Sequence, residues 1–346
     1  MDPLTHALLG ASVAQAACGR RLPRRAWLVG AGAGLAPDLD FFIRSASDPL
    51  LNVELHRQFT HAFAFIPLGG LLAALPWLRR RQTSADRRAI LGAATLAYAS
   101  HGLLDACTNY GTALLWPFSE LRVAWHLVTT LGPQITLTLL LGLALALVGR
   151  RRWPVLAGIA ACLAYLGFAI VQQDRGLAAQ AALAASRGHD VVRAKLFPTV
   201  GNPILWRSVY EAGGELHTDR LRIGNDVSYK PGSRVALATE GGLPEALRAE
   251  ARILRDYRRF ARFSDGWVAR ASDQPEVLGD ARYSLSTERF EPIWGLRFHP
   301  DRAVPTEWVD MTRRNRVPVA ELWREVTGRD ARFQPLPAPT TGHSPI

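Results

Sequence analysis

The sequence predicts a mainly α protein. It reads as a polytopic transmembrane bundle of about 5–6 helices over residues 1–172, a small α+β extracytoplasmic domain over 173–334, and a disordered tail over 335–346. Three observations predict this. Up to Gln172 the chain is dominated by Leu, Ala, Gly and Val, and beyond it Asp, Glu and Arg occur throughout. The arginines of the first half fall in short loops between apolar runs, as membrane insertion requires. Histidines and aspartates, costly at membrane depth and usually functional there, collect in or beside those runs.

The elements follow in order. Residues 4–18 are Ala-rich and short for a full crossing. Residues 26–43 are interrupted by Gly30, Gly32, Gly34 and Pro37. The alternating glycines have no preceding strand and read as close helix packing, not as a nucleotide loop. Segments 61–78, 89–108, 127–149 and 153–171 each have about the 17–25 residues needed to cross hydrocarbon. Trp27, Trp77, Trp116, Trp125 and Trp153 lie near the ends of these segments, where an apolar ring with an N–H donor settles at the interface.

Net charge is +11, of which residues 1–172 hold +7, from 15 Arg and 8 acidic residues. The excess lies in loops 19–25, 79–88 and 149–153, which hold twelve arginines, while the alternate loops hold Arg44, Arg57 and Arg122. The positive-inside rule then puts the N-terminus and, after six spans, the C-terminal domain outside the cytoplasm. The same pattern argues against a nucleic-acid partner despite the high charge. Cys18, Cys107 and Cys162 form no CxxC motif and no disulfide framework. The start, MDPLTHALLG, lacks the basic segment of a signal peptide, so insertion is expected to depend on retained helices.

On this topology Asp2, His6, Asp38, Asp40, His56, His61, His101 and Asp105 share one side, the outer one. Asp2 and His6 are four apart, as are His101 and Asp105 in HGLLD. On a helix each pair shares a face, which suits two ligands of one ion or a ligand with its supporting carboxylate. PDLD, after a Gly-rich run, is loop chemistry in which Asp38 and Asp40 can bridge or flank cations. HRQFTH brings His56 and His61 to one point only through a bend. Mixed His and Asp donors suit Zn²⁺, Mn²⁺ or Fe better than an all-oxygen site does. Each residue also has a plainer reading: Asp2 as a helix cap, Asp38 and Asp40 as loop caps, His126 as an interface residue beside Trp125. Arg57 either pairs with a carboxylate or binds a substrate phosphate.

THALLG, PDLD, HRQFTH, HGLLDACTNYGT and WPF, over residues 1–150, resemble the bacterial inner-membrane metal-dependent hydrolase family, described in one member as LexA-regulated or LexA-binding. The resemblance implies metal ligation by His6, Asp38, Asp40, His56, His61, His101 and Asp105. Where that family often has Ser after the TH of HRQFTH, this chain has Ala62. The family is distantly similar to zinc-dependent phospholipase C and P1-type nucleases, which use clusters of several zinc ions on phosphodiesters.

The expected function is metal-assisted hydrolysis of an ester, above all a phosphoester of a membrane lipid or lipid-linked substrate. One to three divalent ions are expected, Zn²⁺ first, with Mn²⁺ or Mg²⁺ as alternatives. Asp40 and Asp105 are candidate general bases, and Arg57 is the candidate substrate-binding residue. The competing classes are a proton- or cation-coupled transporter and a scaffold with a structural metal. A transporter would be expected to distribute ionisable groups through the membrane depth, often with internal repeats.

In the second half, 173–190 reads as an Ala-rich helix and 191–223 as short strands. Residues 242–263 read as one or two amphipathic helices whose arginines (Arg248, Arg252, Arg255, Arg258, Arg259, Arg262) face solvent or anionic headgroups. His189, His217, His299 and His343 lack ligand spacing. The domain is expected to cover the outer site and restrict its access.

Overall fold

The computed structural model describes residues 1–346 except 23–24, 81, 285, 288, 314–318 and 338–346. The chain divides into two units: Met1–Arg44 with Leu51–Ile170, and Ser45–Leu50 with Val171–Ile346.

The first unit is helical: α1 (Pro3–Cys18), α2 (Ala26–Leu35), α3 (Leu51–Leu55), α4 (Ile66–Ala74), α5 (Ser84–Ala106), α6 (Pro133–Gly149) and the opening of α7 (Trp153–Ser186). Asp2 caps α1, accepting from the Thr5 amide at 3.0 Å and the Thr5 hydroxyl at 2.6 Å. Thr83 caps α5 through the Asp86 amide at 3.1 Å. Helices α1 and α2 pack backbone to backbone. A Cβ built on Gly30 would lie 2.2 Å from the Gly10 carbonyl oxygen, and one on Gly34 would lie 2.6 Å from the His6 carbonyl oxygen. Gly30 and Gly34 therefore serve close packing, as expected, whereas Gly32 faces open space. The core between α1, α2, α4 and α5 is mostly alanine, with Leu22, Ile90 and Val29 as its larger members. That smallness lets the helices approach closely.

Helices α1 and α5 run antiparallel. His6 meets Asp105 at one end, and at the other Arg21 Nε reaches Asp86 Oδ1 at 2.8 Å. Arg152 also donates to the Ala16 carbonyl, at 3.3 Å. The arginine loops and the His/Asp motifs thus occupy opposite ends of these helices.

The second unit holds two antiparallel sheets. One has β1 (Val191–Pro198), β2 (Leu205–Ala212), β3 (Glu215–Ile223), β4 (Val227–Ala236) and β9 (Gln334–Pro335), in the order β1-β2-β3-β4-β9. The other has β5 (Val268–Arg270), β6 (Val277–Asp280), β7 (Trp294–Phe298) and β8 (Thr306–Asp310). Strand β2 is buried on both faces: Trp206 joins Ala179 and Leu183 of α7, while Val209 joins Trp267 and Phe290. Helices α8 (Glu245–Arg248), α9 (Ala251–Phe263) and α10 (Val319–Val326) complete the unit.

The expectation of a polytopic bundle of about 5–6 transmembrane helices is overturned. Among the described residues one helix, Trp153–Ser186, is long and apolar enough to cross a membrane, or two if the bent pair Leu51–His61 and Phe63–Trp77 counts as one span. The reasons are local. Pro67 and Pro76 stand in the first turns of the short pieces Ile66–Ala74 and Leu75–Trp77 of 61–78, with a 60° bend before Phe63. The apolar run 127–149 is helical only from Pro133. Helix α2 ends after 10 residues in a 3₁₀ turn, Ala36–Phe42. Helix α5 spans 23 residues but carries Asp86, Arg87, Arg88 and Asp105. The small α+β domain is in fact a nine-strand, two-sheet β unit among the described residues. The six-span topology falls with the span count. The tail expected from 335 begins with a short strand, and its remainder from 338 lies outside the described residues.

Candidate metal centre

Four segments deliver the site. Helix α1 brings His6, the 3₁₀ turn after α2 brings Asp38 and Asp40, the bent segment 51–61 brings His56, Arg57, Thr60 and His61, and the last turns of α5 bring His101 and Asp105. Gly102 makes the approach of the third segment possible, because a Cβ there would lie 2.7 Å from the His61 carbonyl oxygen. The glycine of HGLLD thus separates two site residues so that a third can reach them.

Asp38, His61, His101 and Asp105 each offer a donor atom within 4.8 Å of the others, and all but Asp38 are buried. His101 Nδ1 lies 2.6 Å from the Gly34 carbonyl, which only accepts, so Nδ1 carries the proton. The Gly34 carbonyl is one of those left open at the end of α2. His61 Nδ1 lies 2.9 Å from Thr60 Oγ1, whose own proton goes to Asp40 Oδ2 at 2.6 Å, so that nitrogen is again the donor. Both Nε2 atoms then present lone pairs to each other at 3.0 Å. Asp38 Oδ1 stands 3.6 Å from His61 Nε2 and 3.4 Å from His101 Nε2, and Asp105 Oδ2 stands 3.4 and 3.5 Å from the same two atoms. Two lone pairs and two carboxylates facing one another call for a cation between them. Tetrahedral ligation at 2.0–2.1 Å places donor atoms about 3.3 Å apart, and the observed separations bracket that value. The donors fit a divalent ion.

The remaining site residues support these four. Asp40 accepts from His56 Nδ1 at 2.7 Å, the Arg57 amide at 3.1 Å and Thr60 Oγ1 at 2.6 Å. Burial pushes its carboxyl up, but the hydrogen bonds from His56 and His61 prevail and hold it below the usual range. At Asp38 burial also pushes up, and the bonds from His101 and His61 prevail in the same way. His6 Nε2 meets Asp105 Oδ1 at 3.0 Å, and its ring stacks on His101 at 3.6 Å. His6 Nδ1 is buried and makes no hydrogen bond among the described residues. The Met1 ammonium also contacts Asp105. Asp38, Asp40 and His56 form a second donor group that shares Asp38 with the first.

Arg57, expected to bind substrate, is turned inward. It is 4% exposed, with Nε 3.0 Å from Asp105 Oδ2, one terminal nitrogen 2.8 Å from Thr108 Oγ1, and its guanidinium over the Tyr110 ring. Its φ of 62° lies in the left-handed region, a strained conformation of the kind found at functional sites. Asp2 is the α1 cap. His126 pairs with Asn109 at 3.1 Å and belongs to neither donor group. Sequence reasoning passed over Thr60, Thr108 and Tyr98, whose hydroxyl donates to the Thr60 carbonyl at 2.6 Å. Tyr98 stands three residues before His101 and seven before Asp105, so helical spacing would have placed all three on one face.

In the second unit His189 pairs with Tyr210 at 2.9 Å and His299 with Glu307 at 2.6 Å, while His343 lies outside the described residues. The arginines of α9 are largely engaged: Arg258 with Glu240 at 2.7 Å, Arg259 with Asp48 at 2.9 Å, Arg252 with the Ala303 carbonyl at 2.9 Å.

The first unit gathers at one end of its helices a His/Asp cluster whose groups could hold a metal, and the helix that leaves it, Trp153–Ser186, is long and apolar enough to cross a membrane. The chain belongs to the YdjM inner membrane protein family, whose family model matches residues 1–176. Comparison with curated proteins and with solved structures finds no match.

Proposed function

We propose that this protein is a metal-dependent hydrolase of the inner membrane, acting on an ester, foremost a phosphoester of a lipid or lipid-linked substrate. The observation that supports it is the facing pair of His61 and His101 Nε2 atoms at 3.0 Å, flanked by the carboxylates of Asp38 and Asp105. These four residues would hold the ion, zinc before manganese or magnesium. Such an ion supplies Lewis-acid polarisation of an ester oxygen and of the attacking water. Asp40 fixes the tautomer of His61 through Thr60, His6 and Arg57 orient Asp105, and His56 closes the second donor group. A general base must reach the substrate. Asp40 and Asp105 are sealed inside, whereas the Asp38 side chain, one of the four ion-holding groups, is 22% exposed, so a substrate would meet the centre at Asp38.

The test is elemental analysis of the purified protein in lipid, with a phosphoesterase assay on the same sample. One or two equivalents of metal are expected, with metal and hydrolysis both lost in the His61→Ala/His101→Ala double variant. Metal content and hydrolysis unchanged in that variant would place the centre elsewhere.

A further inference from the structure

The second unit buries a row of three cations. Arg207 on β2 stands opposite Arg220 on β3, and Arg220 stands opposite Lys230 on β4. Directly opposed residues project from the same face of a sheet, about 5 Å apart, so the three side chains lie side by side. They are 3%, 5% and 4% exposed. Val209, two residues along β2 and on that face, packs with Trp267 and Phe290, which places the row in the interior. Like charges in such surroundings repel, and each needs counter-charge. The counter-charge stops short of Arg207. Lys230 meets Glu325 of α10 and stands 3.8 Å from Asp330. Arg220 Nε stands 3.5 Å from Glu325. Asp280 is taken by Arg282, whose Nε and one terminal nitrogen donate to it at 3.0 and 2.7 Å. Among the described residues Arg207 makes one hydrogen bond, from Nη1 to the Ala281 carbonyl at 2.7 Å, and its buried Nε makes none. Burial, and after it the Arg220 charge, push the Arg207 guanidinium down to about 9. A cation buried without a carboxylate of its own is costly to keep.

We propose that Arg207, with Arg220 beside it, forms a binding site for a small free oxyanion of the phosphate class. A guanidinium grips such an anion through paired N–H donors, and two guanidiniums on neighbouring strands can share one. The Ala281 carbonyl holds Nη1 of Arg207 and fixes the plane of the fork, with Nε as the donor that the anion takes. Both arginines are enclosed, which selects a small anion over a headgroup trailing acyl chains. The site is built from other residues than the metal centre, and it stands whether or not the protein is a hydrolase.

The test uses the whole protein in detergent, with metal removed by a chelator so that no ion at the His/Asp cluster binds phosphate. Inorganic phosphate is titrated by calorimetry, and thermal unfolding is followed at rising phosphate with ionic strength held constant by chloride. One phosphate should bind per chain, and the melting temperature should rise by several degrees and then saturate. Arg207→Met should lose both the binding heat and the saturating rise. Without phosphate the same variant should melt above the native protein, because an apolar side chain replaces a buried charge that lacks a partner. Absence of saturable binding to the native protein overturns the assignment, even if the variant fails to fold. A rise of equal size in both proteins is the general effect of an anion excluded from protein surfaces and also overturns it. So does a variant that melts below the native protein in phosphate-free buffer, since Arg207 would then be satisfied by Ala281 alone. Tighter binding of a short-chain phosphatidic acid than of inorganic phosphate overturns the choice of a small anion.

Discussion

Gly30→Ala and Gly32→Ala differ by two positions on one helix, and the structure separates their effects. Both substitutions gain about 1 kcal/mol of helix propensity and remove the same freedom from the unfolded chain, so these terms cancel in the difference. What remains is contact. The new Cβ at position 32 meets nothing within 4 Å. At position 30 it lies 2.2 Å from the Gly10 carbonyl oxygen and 2.5 Å from the Ala14 Cβ, both rigid. Ordinary contact begins at 3.4 Å, so α1 and α2 must part by roughly 1 Å. Overpacking of this kind costs about 1–3 kcal/mol. Gly32→Ala should therefore be neutral or slightly stabilising, and Gly30→Ala should melt several degrees lower. The shift also reaches the site, since α1 carries His6 and α2 leads into Asp38, and donor separations there differ by only tenths of an ångström. Metal affinity should fall in Gly30→Ala and hold in Gly32→Ala. Thermal unfolding in detergent, with and without added zinc, measures both. Equal melting temperatures for the two variants would refute the backbone-to-backbone packing of α1 on α2.

Arg57→Ala removes the buried cation 3.0 Å from Asp105 and should destabilise the metal-free protein by about 3–5 kcal/mol, with Arg57→Lys in between, as read by chemical unfolding. Tyr98→Phe deletes the 2.6 Å bond to the Thr60 carbonyl; about 1 kcal/mol of stability should go, and metal affinity should weaken as the Thr60–His61 link loosens. In the second unit, Arg332 hydrogen bonds hold the Asp330 carboxyl down at about 2, against a burial effect that raises it. A depressed carboxylate stabilises above its unfolded value near 3.8 and loses that contribution as pH falls toward 2, so Asp330→Asn should flatten the acid limb of the unfolding curve in that window.

Half of the donor group was legible from helical spacing, while Asp38 and His61 stood out as residues of a loop and a bend. His101 and Asp105 stand one turn apart on α5, and the structure brings both into one donor group with Asp38 and His61. The Gly30/Gly34 packing was legible for the same reason. The fold class was not. Apolar length was taken for helix length, but 61–78 bends before Phe63 and is pieced at its prolines, and 127–149 contributes helix only from Pro133. Thr60 and Thr108 carry no spacing signal specific to a site, since hydroxyls cap and line helices everywhere, whereas Tyr98 shares a helical face with His101 and Asp105. Of the two readings of Arg57, the structure shows the carboxylate pair, with Asp105, on a left-handed backbone that a non-glycine residue seldom adopts.

The depth at which these groups lie separates the functional classes better than their identity does. A proton or cation pathway needs ionisable side chains stepped through the membrane. Here α1, 16 residues and about 24 Å long, holds Thr5 and His6 at one end and reaches the arginines only after Cys18. Between them lie Ala, Leu, Gly and Val13 with Ser12 and Gln15, and Cys18 at the far end is the one side chain there that titrates. Helix α5 repeats the pattern in reverse, with Asp86, Arg87 and Arg88 in its first turns and His101 and Asp105 in its last. Neither helix offers a relay along its length. The charges instead make two opposed terminal clusters, one all but committed to arginine and the other to donors that converge within 4.8 Å. A terminal cluster with one partly open carboxylate is approached from the side and not along the length of these helices.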